Sequence, residues 1–471
     1  MYSLTIWHLF SIIATLTMVS LAGVYAGRKV KNASDFSVGG RKAGPILIAG
    51  TVTGTLIGGA STIGTAELAF KFGLSAWWFT LGAGLACLLL SVLIAGPLQD
   101  SELETVPQFL VKTYGPVAGP LASIFSSTGI FINIMAQILS AIALLGSMFA
   151  LNPVYAAFIT VFLVVCYVFF GGFMGTGIVG FVKLILIYGS LLITGVLAYT
   201  KAGGLAGLTQ SFPPFPWFSL FGRGLSADAA AGFSVMVGVL STQTYWQAMF
   251  SGKNVQAARR GAWLSALLML PCGLAGIAVG MYMKLSFPDM PAAEALPAFV
   301  LKFLPPWLGG VVLAVLLVAV IGTAAGLALG VSTMLTNDFY KKFINTKASG
   351  RHLLTVSRVV LVAVTGSTIL LVIGNLKTMI LEWSFLSMGL RGATIFLPLM
   401  GAIFFRKYVS PTAGVLALVV GPMTDLIWKI AFPNIMDPLY AGLLASFLVL
   451  ALGSLVFPGS KSRQPKSGTN P

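Results

Sequence analysis

The stretch 56-LIGGASTIGTAELAF-70 lies inside a long apolar segment and departs from what a helix surrounded by hydrocarbon needs. Three glycines, Gly58, Gly59 and Gly64, fall among Ser61, Thr62, Thr65 and Glu67. Glycine costs about 1 kcal/mol relative to alanine inside a helix, so the Gly58-Gly59 pair marks a point of unwinding. In lipid, unwound backbone is tolerated only where protein or a cavity surrounds it. Freed carbonyls there coordinate a cation, and half-helix ends face a polar substrate near the bilayer midplane. The alternative is close helix–helix contact through small residues, which 172-GFMGTG-177 also offers. Glu67 favours the first reading, because a carboxylate at membrane depth points to function.

The remaining sequence supplies the membrane. Of 471 residues, 57% are hydrophobic and 8% charged, with a mean hydropathy of +0.95. Soluble domains carry roughly a quarter charged residues, so this chain cannot cover a water-facing surface. Thirteen apolar spans are predicted, at 4–26, 45–70, 74–98, 117–149, 152–172, 176–199, 229–250, 262–284, 308–335, 355–376, 379–405, 411–430 and 438–458. The first has no basic leader and reads as a retained anchor. Alternate loops hold nineteen Lys and Arg on one side, clustered at 28–42, 253–260, 341–358, 406–407 and 461–466 with Lys112, against seven on the other. The richer side is expected to be cytoplasmic, with the N-terminus outside and the C-terminus inside, in the inner (cytoplasmic) membrane.

The net charge of +16 is spread over many short loops, which suits a lipid bilayer as partner and not nucleic acid. Cys87, Cys166 and Cys272 fall in apolar segments and read as buried hydrophobes. His8 and His352 are far apart, and no nucleotide loop, metal cluster or nucleophile–base pair is present, which argues against an enzyme. A channel would want repeated charged or carbonyl rings, and the polar residues here are aperiodic. The loop 200–228 contains 212-FPPFPWF-218, which cannot be regular helix throughout. It reads either as a partial lid or as an interfacial aromatic belt.

Five blocks then carry a resemblance. They are 34-SDFSVGGRKAG-44, 105-TVPQFLVKTYGP-116, 171-GGFMGTGIVGFVK-183, 243-QTYWQAMFSGKNVQAARRG-261 and 321-IGTAAGLALGVSTMLTNDFY-340. In this order they resemble the sodium:solute symporter family, which includes proline, pantothenate, sugar and sialic-acid symporters. The resemblance implies an all-α, multi-pass fold of two inverted five-helix repeats. Here these are 45–199 and 229–405, after a leading helix and loop at 1–44, separated by the loop 200–228. Two trailing helices at 406–458 and a disordered tail at 459–471 follow. The first helix of each repeat is expected to be broken, the second at 232-GFSVMVGVLSTQTYW-246. The implied function is a symporter importing a small-molecule solute by alternating access. A membrane sensor of the same fold is a further alternative, and the oligomeric state is left open.

By this resemblance, Na+ is the implied cofactor. It would be held by the carbonyls of Ala60 and Ile63 on the first core helix, the carbonyl of Ala319 on the eighth, and the Thr323 hydroxyl. The sequence departs from the family's pattern at three coupling positions. Gly322 cannot supply the second hydroxyl, Gly180 stands where many members carry an aspartate, and Lys183 replaces a glutamine. With Ala325 and Gly326 in place of hydroxyls, a second sodium site is expected to be absent and the first to be thinned. Lys183 shares a helix face with Gly180. Its ammonium either fills the cation position, where burial would let it exchange H+, or snorkels to the headgroups. Coupling is therefore to Na+, to H+ or to no ion.

For the substrate, the resemblance places Glu67 where sugar-transporting members carry a substrate-binding glutamine, and a carboxylate there would favour a cationic, amine-bearing or hydroxyl-rich solute. It could equally be structural or paired with Lys71. Ser61, Thr62 and Thr65 are neighbouring donors, and Gln137, Gln243, Tyr245 and Trp246 are further candidates. Glu382 and Arg391 lie nine residues apart and do not share a face. Asp425 and Lys429, at i and i+4, read as a structural ion pair.

Overall fold

The computed structural model describes residues 4–27, 41–100, 103, 105–432 and 435–456; at 22–27, 98–100, 168–179 and 181 it describes backbone alone. Residues 34–40 of the first quoted block, Arg28, Lys29 and Lys31, and the tail at 459–471 lie outside the described residues. The described chain is helical, with one isolated bridge between Ala43 and Gly252. Helices α1 (Ile6–Gly27), α2 (Pro45–Leu56), α3 (Thr65–Phe72), α4 (Trp78–Leu89), α5 (Ala95–Asp100) and α6 (Val106–Tyr114) lead to the long α7 (Ala118–Phe149) and α8 (Pro153–Lys201). Short helices α9 (Gly204–Ser211) and α10 (Pro214–Trp217) precede α11 (Leu225–Leu240), α12 (Gln243–Phe250), α13 (Val255–Ser286), α14 (Ala295–Phe303) and α15 (Pro306–Met334). The chain continues through α16 (Gly350–Gly374), α17 (Ile380–Arg391), α18 (Leu397–Phe404), α19 (Pro411–Ala431) and α20 (Pro438–Val456).

Among the described residues nine helices are long and apolar enough to cross a membrane, or ten if the bent pair α11–α12 is one span. The protein is thus a multi-pass membrane protein. One of the thirteen stretches read from sequence, 45–70, is interrupted. α2 stops after 12 residues at the break. The expected spans 152–172 and 176–199 fall in one helical segment, α8. No proline lies between Pro153 and Pro213, and the intervening glycines weaken a helix without removing its N–H donors.

The most apolar window of the span Pro306–Ile344 is 83% buried, whereas that of α20 is 28% buried. α15 is therefore the central post, packed against α1, α7 and α8, and the trailing helices are peripheral. α13 runs along α2, α3 and α4, while α17 lies between α7 and α11. The loop after α8 packs onto the corner joining α3 to α4. There Trp78 Nε1 donates to Leu220 O at 2.6 Å, and the Trp217 backbone presses against Gly73, whose φ of +61° suits glycine. Phe215 breaks helical geometry within 212–218 (φ −109°, ψ 136°), as its prolines require.

The expected Asp425–Lys429 pair does not form. Asp425 is buried, with its Cβ 3.0 Å from where a side chain on Gly442 would begin, and its Oδ2 has no hydrogen-bond partner among the described residues. Lys429 is exposed. Helical neighbours at i,i+4 do not meet when one is turned into a helix–helix contact and the other to the outside.

Candidate functional site

The opening stretch breaks where its glycines predict. α2 ends at Leu56, and Ile57 is extended (φ −85°, ψ 94°). A π-helical turn, Ala60–Gly64, then leads into α3. A side chain at Gly58 would place its Cβ 2.7 Å from Gln137 Oε1 and 2.7 Å from Thr323 Oγ1, so only glycine lets α7 and α15 approach this closely. The backbone groups freed by the break are not left bare. Gly59 N donates to Gln137 Oε1 at 2.8 Å, and Gln137 Nε2 donates to Asn133 Oδ1 at 3.3 Å.

Ser61, Thr62 and Thr65 turn back on the same backbone. Gly58 N donates to Ser61 Oγ (3.0 Å), Thr62 Oγ1 donates to Gly58 O (2.8 Å), and Thr65 Oγ1 donates to Ala60 O (3.2 Å). All three hydroxyls are buried. In this conformation they satisfy the unwound chain, as intramembrane Ser and Thr commonly do.

One turn before the break, the side chain of Lys183 enters from α8. Its Nζ donates to Gly54 O at 2.6 Å, to Ala319 O at 3.0 Å and to Thr323 Oγ1 at 3.1 Å. Three donors meet three oxygens, so the ammonium is fully satisfied. Thr323 Oγ1 also faces Ile57 O at 3.5 Å. Lys183 is 4% exposed and does not snorkel. A side chain at Gly54 would begin 3.1 Å from Gly180 O, so the small residues at 54 and 180 let α2 and α8 meet backbone to backbone. A Cβ at Gly322 would lie 3.9 Å from Lys183 Nζ, beside the same cluster.

Of the four expected cation ligands, Ala319 O and Thr323 Oγ1 accept from Lys183 Nζ, and the carbonyls of Ala60 and Ile63 are not among its partners. The first-helix carbonyls that meet α15 and Lys183 are those of Gly54 and Ile57, six residues before Ala60 and Ile63. Ala60 O accepts from Thr65 Oγ1. Glu67 is likewise committed: its Oε2 accepts from Ile380 N at 2.9 Å, capping the N-terminus of α17 from another helix. Glu67 is buried, and no ion pair with Lys71 forms among the described residues.

The second broken helix is bent by 45° between α11 and α12. Trp246 Nε1 donates to Leu240 O (2.7 Å), closing a carbonyl at the end of α11. Tyr245 and Trp246 are buried and not interfacial. Gln243 lies apart from Glu67: its Oε1 accepts from Val106 N at 2.8 Å, and it lines a small pocket with Thr105, Asn337 and Asp338. Arg391, which the sequence offered only as one of a possible charged set with Glu382, is fully buried against this break, with Nη1 donating to Thr242 Oγ1 at 2.7 Å. A basic residue within an apolar span was the available signal. Gly54 carried none, because a carbonyl ligand leaves no mark on residue type.

Comparison with known proteins places the chain in a family. The profile of the sodium:solute symporter family matches residues 36–421. The osmoregulated proline transporter of Bacillus subtilis is 25% identical over 435 residues, covering 87% of this chain and 86% of that one. The sodium/proline symporter of Escherichia coli K12 is 24% identical over 440 residues, covering 87% and 85%. The solved substrate-bound, outward-open structure of a Na+-coupled sialic acid symporter shares the fold, with a TM-score of 0.79 at 15% identity, covering 98% of this chain and 99% of the other. This chain belongs to the sodium:solute symporter family.

Proposed function

We propose that the protein is a secondary transporter that carries a small polar organic solute by alternating access, with the Lys183 ammonium taking the place of the coupling sodium ion. The observation that carries this reading is the Lys183 Nζ triad of Gly54 O, Ala319 O and Thr323 Oγ1. Carbonyls of a broken helix and a hydroxyl of a facing helix are the oxygens a hard cation such as sodium would use. An ammonium tethered among them supplies the same positive charge from within the chain. Transport would then be driven by proton exchange on Lys183 or proceed down the solute's own gradient.

The chain is read as two inverted five-helix repeats, 45–199 and 229–405, with their first helices broken at 57–59 and 241–242, in a thirteen-span fold with the C-terminus in the cytoplasm. Family membership, the 45° bend between α11 and α12, and the Lys/Arg asymmetry of the loops support this. The two breaks, with Ser61, Thr62 and Thr65 beside the first, would face the solute when the bundle opens. Proline is the first solute to test, because the curated relatives named above are proline transporters.

The experiment is uptake of labelled L-proline, and of a wider amino-acid and carboxylate panel, into proteoliposomes. Imposed sodium gradients are compared with proton gradients. Uptake that ignores sodium in wild type and gains sodium dependence in Lys183→Ala supports the reading. Sodium-driven uptake in wild type sinks it.

A further inference from the structure

Arg391 closes α17 in the interior of the protein, with 0% of its surface exposed. Its Nε donates to Ser387 O (3.1 Å), Nη1 to Thr242 Oγ1 (2.7 Å), and Nη2 to Ser387 Oγ (3.0 Å) and Met388 Sδ (3.0 Å). None of these partners is a carboxylate. One of the four is a thioether, a weak acceptor, and the guanidinium's fifth N–H is not used by them. A buried charge without a counter-charge is costly, and charged groups at membrane depth are normally retained for function. Holding the break closed does not explain the charge, since a neutral amide could donate to Thr242 and Ser387.

The surroundings add to the positive field. Thr242 is the N-cap of α12, so the guanidinium abuts the N-terminus of a half-helix, which carries partial positive charge of its own. Ser384 lies two turns earlier on the same face of α17, fully buried, with no hydrogen-bond partner for its hydroxyl among the described residues. Across from them, Ser387 Oγ donates to Gly129 O at 2.6 Å, and Arg391 Cγ lies 2.6 Å from where a Cβ on Gly129 would sit. Residues 129, 133 and 137 share one face of α7, and Gln137 binds Gly59 N at the first break. Arg391 and the first break are therefore joined along one helix face, about 12 Å apart by helical rise. Glu67 is occupied by Ile380 N, and among the described residues the hydrogen-bond partners of Arg391 at the second break include no carboxylate.

We propose that Arg391 is a substrate-binding residue that takes the carboxylate of the transported solute, making that solute a small carboxylic acid or amino acid rather than an amine or a neutral sugar. The inference rests on the transport reading above. When α12 moves relative to α17, the Thr242–Arg391 bond opens, and the planar fork of the guanidinium accepts the carboxylate in its place. The rest of the solute then lies toward the first break.

The test measures thermal stabilisation of the purified protein by matched pairs, each carboxylate beside its amide. L-proline with L-prolinamide, lactate with lactamide and glutarate with glutaramide form the core of a panel that includes sugars and amines. Wild type, Arg391→Gln and Arg391→Lys are compared. Stabilisation by at least one carboxylate and not by its amide is expected, with Kd weakened on the order of 100-fold in Arg391→Gln and less in Arg391→Lys. The unfolding midpoint of unliganded Arg391→Gln is expected to equal or exceed that of wild type, because removing a charge that lacks a counter-charge relieves strain on the fold.

Equal carboxylate affinity in Arg391→Gln, stabilisation by amides, amines or sugars alone, or no stabilisation by any carboxylate overturns the proposal. A large loss of stability in unliganded Arg391→Gln with unchanged carboxylate affinity assigns Arg391 to structure, which also overturns it. Proteoliposome uptake keeps the two readings separable. A neutral solute that is transported leaves the transport reading standing and removes this one. A carboxylate that binds through Arg391 but never crosses the membrane removes the transport reading and overturns this proposal as stated, leaving only a carboxylate contact at Arg391.

Discussion

Gly58 is the residue on which the first break turns. Its missing side chain lets Gln137 and Thr323 approach within 2.7 Å of where a Cβ would be. Gly58→Ala is expected to overpack this point by about 1–3 kcal/mol. A lowered unfolding midpoint and a loss of uptake with unchanged surface expression would show it. Glu67 makes a different prediction. If it serves only as the cap of α17, Glu67→Gln keeps an acceptor for Ile380 N and leaves uptake near wild type, while Glu67→Ala loses about 1 kcal/mol of stability. A large rise in KM for Glu67→Gln at unchanged stability would instead return this carboxylate to the substrate. Gly322 offers a gain of function. In a Lys183→Ala background, Gly322→Ser adds a hydroxyl close to the vacated Nζ position, and a sodium response stronger than that of Lys183→Ala alone is expected. Equal responses would mean that position 322 does not face the cation.

At the scale of elements, the helices were largely legible because apolar runs of membrane length are a strong signal, even where Pro271 and Pro422 lie inside α13 and α19. α7, α13, α15 and α16 fall where the runs at 117–149, 262–284, 308–335 and 355–376 place them. The glycine pair located the first break to within a few residues, but ligand identity demanded more. The Lys183 partner Gly54 lies six residues before Ala60, less than two helical turns, and backbone carbonyls look alike in every residue type. Side-chain partners were legible as candidates and not as pairs. Lys183 had two open directions, and its long side chain settles into the oxygen cluster only because Gly180 and Gly54 bring α8 against α2. Glu67 and Ile380 are 313 residues apart, a contact that no local pattern encodes.

For the molecule as a whole, the distribution of Lys and Arg predicts which ends face the cytoplasm. Lys407 is assigned to the inner side and Lys429 to the outer side. In intact cells a membrane-impermeant maleimide is therefore expected to label Lys429→Cys and to leave Lys407→Cys untouched until the cells are opened. Native thiols interfere little, since Cys87 and Cys272 are buried and Cys166 is half-buried. The reverse labelling pattern would invert the topology.

The account depends most on Lys183 standing where a sodium ion would otherwise bind. The measurement that addresses this directly is the thermal unfolding midpoint of the purified protein in sodium against choline at equal ionic strength, for wild type and Lys183→Ala. A midpoint indifferent to sodium in wild type and raised by sodium in Lys183→Ala is the predicted result. A sodium-specific rise in wild type that Lys183→Ala leaves unchanged would show that the cation has its own site and that the lysine does not occupy it.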